Sequence, residues 1–290
     1  WSNYLGLLER AESASWDEAI CSVLAGTGVA GHVDGPVATA QFSGPNAMAL
    51  STCERFIAVP DRYGQYIRLL SRESADHAWS TATVSTIAGT GRTGSQDGPS
   101  AQASVNAPHG VGFSPDGLSI AVADTHNHRI RLISIREGQS WSEATVSTIP
   151  GLETDRRVWH PIFSSDGLTL FFSEDQGKIR ALSRTSTDAA WSGNTVTTVA
   201  GSGDRHSTDG PAGQAAFTNP GYMNLVDDGL SIVVGDRYRI RLVQRRSQTD
   251  PWSSAEVSTL AEFEDGTDQA VVTQAGDILV NAGRALLRIC

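Results

Sequence analysis

Cysteine is scarce in this 290-residue chain, with only Cys21, Cys53 and Cys290. An odd count at unrelated positions excludes a disulfide framework, and no CxxC pair exists to hold zinc or run thiol exchange. Lysine is nearly missing, since Lys178 stands alone among 22 basic residues, and 32 acidic residues leave a net charge of −10. That balance repels a nucleic-acid backbone unless a basic face is segregated, and the one basic cluster is Arg237 to Arg246. Nucleic acid is therefore not an expected partner. No apolar run approaches the roughly 20 residues that span a bilayer as a helix. Also absent are a nucleophile motif and a phosphate-binding glycine loop. The repeated Ala-Gly-[Thr/Ser]-Gly at Ala25, Ala88 and Ala200 leads into no helix and reads as a turn.

What the chain has is repetition. Tryptophan falls at Trp16, Trp79, Trp141, Trp191 and Trp252, in steps of 63, 62, 50 and 61 residues. Between them recur four short apolar runs bounded by turn residues, clearest from Val84 to Val146. One run recurs as YIRLL from Tyr66, RIRLI from Arg129, KIRAL from Lys178 and RIRLV from Arg239. The next recurs as CSVLAG, VSTIAG, VSTIPG, VTTVAG and VSTLAE. The second strands (FIAVP, SIAVAD, TLFFSED, SIVVGD, DILVN) are apolar almost throughout rather than alternating, so both faces of each sheet must be covered. Packing four-stranded antiparallel sheets around an axis meets that demand without long exposed edges, which predicts an all-β chain folded as a β-propeller.

The residues from Pro108 to Leu132 carry a further pattern: a proline and glycine ahead of FSPDG, then IAVAD, then NHRIRL. This resembles the NHL repeat, and copies of varying quality cover nearly the whole chain. The resemblance implies an NHL-type propeller. It implies little about activity, because the family includes protein-binding, RNA-binding, sensor and enzyme members. The chain reads as two strands, four full blades and three strands, which predicts a six-bladed ring with an incomplete closing blade. A five-bladed ring, in which Cys21 and Cys290 could meet, is the alternative. No linker-like break interrupts residues 1–290, so a single domain is expected, within a longer protein.

Antiparallel connectivity sorts the loops. The fourth-to-first connections share one face, here the top, with the hairpins after the second strands. Three top connections, Gly26 to Pro45, Gly89 to Pro108 and Gly201 to Pro220, each span 19 residues, while the one after Gly151 is about 12 shorter. Such variation is where scaffolds place recognition. Asp34, Asp97 and Asp209, each before Gly-Pro, predict side-chain-capped turns. Asp61, Asp124, Asp175 and Asp236, read as closing the second strands, are expected to accept from their own hairpins, or to reach the axis and hold Ca²⁺. The arginine of each third strand (Arg68, Arg131, Arg180, Arg241) is expected to pair with a carboxylate, and the tryptophans to anchor their connections against a neighbouring blade.

The strongest chemical grouping is histidine. His109 and His160 align near the top mouth of the channel beside Asn46, Trp159 and Gly221, with Tyr222 next to the last, and His126 and His128 lie on a top hairpin. Imidazoles favour Zn²⁺ and related metals, so His109 and His160 are the candidate metal ligands. Some propellers resembling this chain are metal-dependent lyases, and others are lactone hydrolases with axial Ca²⁺. That resemblance implies a metal enzyme at the channel mouth, but no complete acid, base and ligand set is found. The leading expectation is a non-catalytic recognition or scaffolding domain without a cofactor, binding a protein or other ligand through Asn46, Asp61, His109, Asp124, His126, His128, Trp159, His160, Asp175, Tyr222 and Asp236.

Overall fold

The computed structural model describes residues 3–9, 19–152, 155–191, 195–226, 229–264, 269–272, 278–282 and 285–289. The chain divides into two compact units, residues 1–127 with 131–148, and residues 128–130 with 149–290.

In the first unit, Leu5–Glu9 pairs with Ile20–Ala25 as a two-stranded sheet. A first full sheet follows in the order Gly35–Pro36, Thr83–Ala88, Tyr66–Ser71, Phe56–Asp61, Ala49–Leu50. A second repeats it as Gly98–Pro99, Thr145–Thr148, Arg129–Ser134, Ser119–Asp124, Pro108–Phe113. The unit boundary runs through Arg129–Ser134. The second unit holds a third sheet, Ile162–Phe163, Thr169–Glu174, Lys178–Ser183, Thr197–Ala200. It also holds a fourth, Gly210–Pro211, Glu256–Glu262, Arg239–Gln244, Ser231–Asp236, Pro220–Leu225, and a three-stranded sheet from Gln269 to Ile289. All pairings between named strands are antiparallel among the described residues.

The second strands are buried almost end to end, as continuous apolar runs require when both faces are covered. What covers them is partly the long connection itself. After each Gly-Pro the chain turns and drops a small residue and an aromatic or aliphatic one into the core: Ala40 and Phe42, Ala103 and Val105, Ala215 and Phe217, all at most 1% exposed. Ala215 and Phe217 pack with Phe171, Ile179 and Val199, and Ala40 and Phe42 pack with Leu24, Val59 and Leu70.

Asp-Gly-Pro is thus more than the local turn read from sequence. Its Gly-Pro adds a two-residue fifth strand to the outer edge of the sheet it precedes, Gly35 opposite Val84, Gly98 opposite Val146 and Gly210 opposite Val257. The third sheet follows the short connection and has no such strand among the described residues. Glycine is required at the turn before: Gly89 has φ 104° and a Cβ there would strike the Gln65 carbonyl.

The tryptophan connections form short 3₁₀ turns at Trp79, Trp141 and Trp252, each with an arginine or phenylalanine on the ring. Arg245 lies 4.6 Å from the Trp252 centroid, and Phe171 of the neighbouring sheet meets it edge-on at 5.3 Å, the anchoring expected. Trp16 and Cys290 lie outside the described residues, and with Cys290 the pairing expectation for Cys21, which is exposed with a free thiol.

Candidate functional site

The third-strand arginines organise the top connections. Arg68 has no exposed side-chain surface and sits between two carboxylates, Asp34 at 2.6 Å and Asp61 at 3.3 Å. Its remaining donors go to the Gln41 and Val33 carbonyls of the long connection. Arg131 repeats this with Asp97 (2.6 Å), Asp124 (2.9 Å) and the Ser104 and Gln96 carbonyls. Arg241 repeats it again with Asp209 (2.7 Å), Asp236 (3.2 Å) and the Ala216 and Thr208 carbonyls.

The first aspartate of each triad also takes a threonine of the outer strand. Thr86 donates its N–H to Asp34 at 3.0 Å and its hydroxyl at 3.1 Å, and Thr148 and Thr259 do the same for Asp97 and Asp209. The second aspartate accepts backbone N–H groups of the incoming connection: Ser43 to Asp61, Asn106 to Asp124, and Thr218 with Asn219 to Asp236. Sequence reasoning expected both aspartates to cap their own turns. Asp124 does accept from Asn127 of its own hairpin at 2.8 Å, but the threonine and connection donors lie 17 to 52 positions away, so the triads tie connection, hairpin and outer strand together.

Two carboxylates on one dry guanidinium leave a net negative charge. Burial accordingly pushes the Asp61 carboxyl up to about 6 despite bonds from Ser43 and Arg68, and Asp124 is raised by burial too. For Asp209, burial is outweighed by the Thr259 and Arg241 hydrogen bonds, which hold it low.

The third sheet breaks the pattern. The residue closing its second strand is Glu174, paired opposite Lys178 as Asp61 is opposite Tyr66, and not Asp175, which the sequence reading assigned. Arg180 donates one bond, to Glu174 at 3.3 Å, and retains 22% side-chain exposure where its three counterparts have none. Burial raises the Glu174 carboxyl against the pull of Arg180, Lys178 and Arg156, and Glu174 Oε1, Asp175 Oδ1 and Arg180 Nε are buried without partners.

The remaining predicted positions fall in both units. Asn46 and His109 are half-buried in the first unit, Asn46 donating its N–H to the Pro60 carbonyl. His126 is exposed in the 3₁₀ turn Thr125–Asn127 and His128 ends that turn in the left-handed conformation (φ 58°). The pair thus lies across the turn of the expected hairpin. In the second unit His160 is 8% exposed, accepts from the Met223 N–H at 3.4 Å and packs on Tyr222 at 4.9 Å. Burial lowers it to about 4, so it is a neutral core imidazole. Trp159 donates its backbone N–H to the Ser173 carbonyl. Asp61, Asp124 and Asp236 are internal, with their side chains fully buried. Among the described residues, no three His, Cys, Asp or Glu side chains converge as a metal site.

Sequence reasoning overlooked the outer-strand threonines, although the Thr of VSTI and VSTL recurs at a fixed place. It also overlooked His32, whose ring stacks on Tyr66 at 3.7 Å and 9° beside a cleft of about 450 Å³. A cavity of about 530 Å³ lies in the second unit against Thr198, Phe171, Leu225, Arg245 and Trp252.

Arrays of four-stranded antiparallel sheets joined in this way define an all-β β-propeller. Within that class, residues 106–131 match the NHL repeat, as the sequence pattern implied. A solved nidogen/laminin complex is similar at a TM-score of 0.63 and 10% identity, over 99% of this chain and 86% of that one. An auxiliary nutrient binding protein from Bacteroides ovatus is similar at 0.59 and 11%, over 91% of this chain and 58% of that one. The Cps50 (Swd1) β-propeller domain of Myceliophteria thermophila is similar at 0.52 and 10%, over 86% and 70%. At these identities the likeness defines the fold alone, and the chain spans little more than half the length of the nutrient-binding protein. No curated protein sequence matches the chain.

Proposed function

We propose that this chain is a non-catalytic recognition module that binds a protein partner through its uneven top connections. The observation that carries the reading is the contrast between sheets. Three long connections are each fixed by a buried arginine triad, while the short one leaves Arg180 and Glu174 incompletely bonded. Rigidly held loops suit binding, because little ordering entropy remains to be lost on association. Exposed tips such as Val29, Arg92 and Arg205 supply the contact surface, with Asn46, His109 and His126 nearer the strands. The structures similar to this one include a nutrient-binding protein and a complex between two proteins, which is compatible with a binding role. The same proposal includes a six-bladed ring, with four complete blades and two partial ones.

The test is capture of a partner by the immobilised chain, followed by titration of the purified partner against a Val29→Ser, Arg92→Ser, Arg205→Ser variant. Binding weakened by at least about tenfold, with an unchanged melting temperature, is the expected result. Metal-dependent turnover of a lactone or a hydroxyglycine-type substrate would overturn the reading in favour of an enzyme.

A further inference from the structure

Three of the four full sheets show what the top of the third lacks. In each of them a carboxylate from Asp-Gly-Pro enters a cradle of three donors: an arginine terminal nitrogen, a threonine N–H and the same threonine's hydroxyl. The third sheet keeps the cradle. Arg180 pairs opposite Thr198 as Arg68 pairs opposite Thr86 and Arg241 opposite Thr259, with the same register shift one residue before the arginine. Among the described residues, no carboxylate enters it. Arg180 spends one terminal nitrogen on Glu174 and its other on no described residue, and Thr198 is exposed where Thr86, Thr148 and Thr259 are half-covered.

The strand edge is open as well. Gly-Pro pairs with the outer strands of the first, second and fourth sheets, but Thr197–Ala200 is the last strand of its sheet, and it begins two residues later in the repeat than Thr83–Ala88. A short bare edge of this kind is a template for an added strand. The edge residues Thr197 and Thr198 adjoin the 530 Å³ cavity, which gives room for side chains flanking an inserted acid. The described carboxylate of the short connection, Asp155, turns to Arg156 at 3.0 Å and is 81% exposed, so it does not fill the position.

We infer that the Arg180–Thr198 cradle and the bare edge beside it bind an extended acidic segment of a partner polypeptide, of Asp-Gly-Pro type, which completes the third sheet as the internal segments complete the others. The incoming carboxylate makes Arg180 a guanidinium between two carboxylates, the composition of the other three triads. Charge favours it locally: Arg156, Lys178 and Arg180 all bear on Glu174, and Lys178 is the single lysine of a chain whose net charge is −10. The idea rests on the recognition reading above and gives it a chemistry.

The probe is a synthetic peptide copying residues 95–101 (SQDGPSA), titrated into the isotope-labelled chain while the Thr198 amide is followed by NMR. Saturable movement of that amide is expected. A peptide with Asn in place of the Asp, and an Arg180→Gln protein, should each bind about tenfold or more weakly, the loss expected for one charge-assisted hydrogen-bonded pair. Thr198→Val keeps the backbone donor and should weaken binding less. If Arg180→Gln fails to fold, the Asn peptide and Thr198→Val still decide. An unmoved Thr198 amide, or equal binding of the Asp and Asn peptides, overturns the inference. Neither outcome touches partner capture through the long-loop tips, which fails separately.

Discussion

A buried arginine between two aspartates is costly to break and cheap to leave intact. Replacing Arg131 with Met leaves Asp97 and Asp124 facing each other without a counter-charge, and removing one partner of a buried ion pair costs about 3–5 kcal/mol. Arg180→Met removes one bond from a half-open site and should cost about 1 kcal/mol. Chemical denaturation of the two variants side by side checks the ratio. The same triads carry a pH signature. Asp61 holds its proton more tightly folded, with a pKa of about 6, than unfolded, where carboxyls titrate near 3.8. Its contribution to stability is therefore fully present below about pH 4 and is lost as pH rises through about 6. Asp61→Asn has no such term. The melting-temperature advantage of the parent over Asp61→Asn should thus be largest near pH 4 and fall steadily to pH 7, by the equivalent of a few kcal/mol at most.

At the level of the element, the strands were legible because their signals are local. Runs such as SIAVAD and RIRLIS are short, apolar and bounded by turn residues, and Phe56–Asp61, Ser119–Asp124 and Ser231–Asp236 formed where those runs lie. The partners of the aspartates were not legible, because Asp before Gly-Pro has an obvious local use and its actual donors, Arg68 and Thr86, lie 34 and 52 residues on. Two acids in succession hid the register at Glu174 and Asp175, which only the pairing with Lys178 resolves. The hairpin at His126 and His128 was legible, but nothing in His-x-His announces the left-handed residue that closes the turn at His128. The segment after Gly-Pro is where an element-scale test belongs. Phe217 is fully buried, 4.9 Å from the Arg241 guanidinium, and fills the core with Ala215 and Phe171. Phe217→Ala should cost about 3–5 kcal/mol through lost burial and the cavity left behind. Gly89→Ala tests the turn that launches the corresponding segment of the second sheet. Its positive φ and the Gln65 carbonyl in the way predict a loss above about 1 kcal/mol, against near-neutrality for Gly213→Ala, where φ is not positive and a Cβ would meet open space.

For the molecule as a whole the decisive quantity is charge, and the triads sharpen it. Of 22 basic residues, Arg68, Arg131 and Arg241 are locked inside their sheets, so the cations available at the surface are fewer than the sequence suggests, while most of the described acids remain outside. Nucleic acid binds by phosphate neutralisation, with an affinity that falls steeply with salt, and a surface of this sign gives such binding little purchase. A mobility-shift assay with a mixed single-stranded RNA pool should show no salt-sensitive complex at about 50 mM salt, where electrostatic association is favoured most. The local positive group around Arg180 makes this a demanding test, because a polyanion could reach it without any sequence reading. The two cases separate by competition. Binding that the Asp-Gly-Pro peptide displaces belongs to the carboxylate cradle, whereas binding that survives saturating peptide and weakens with salt would mean a basic face elsewhere and would return RNA recognition to consideration.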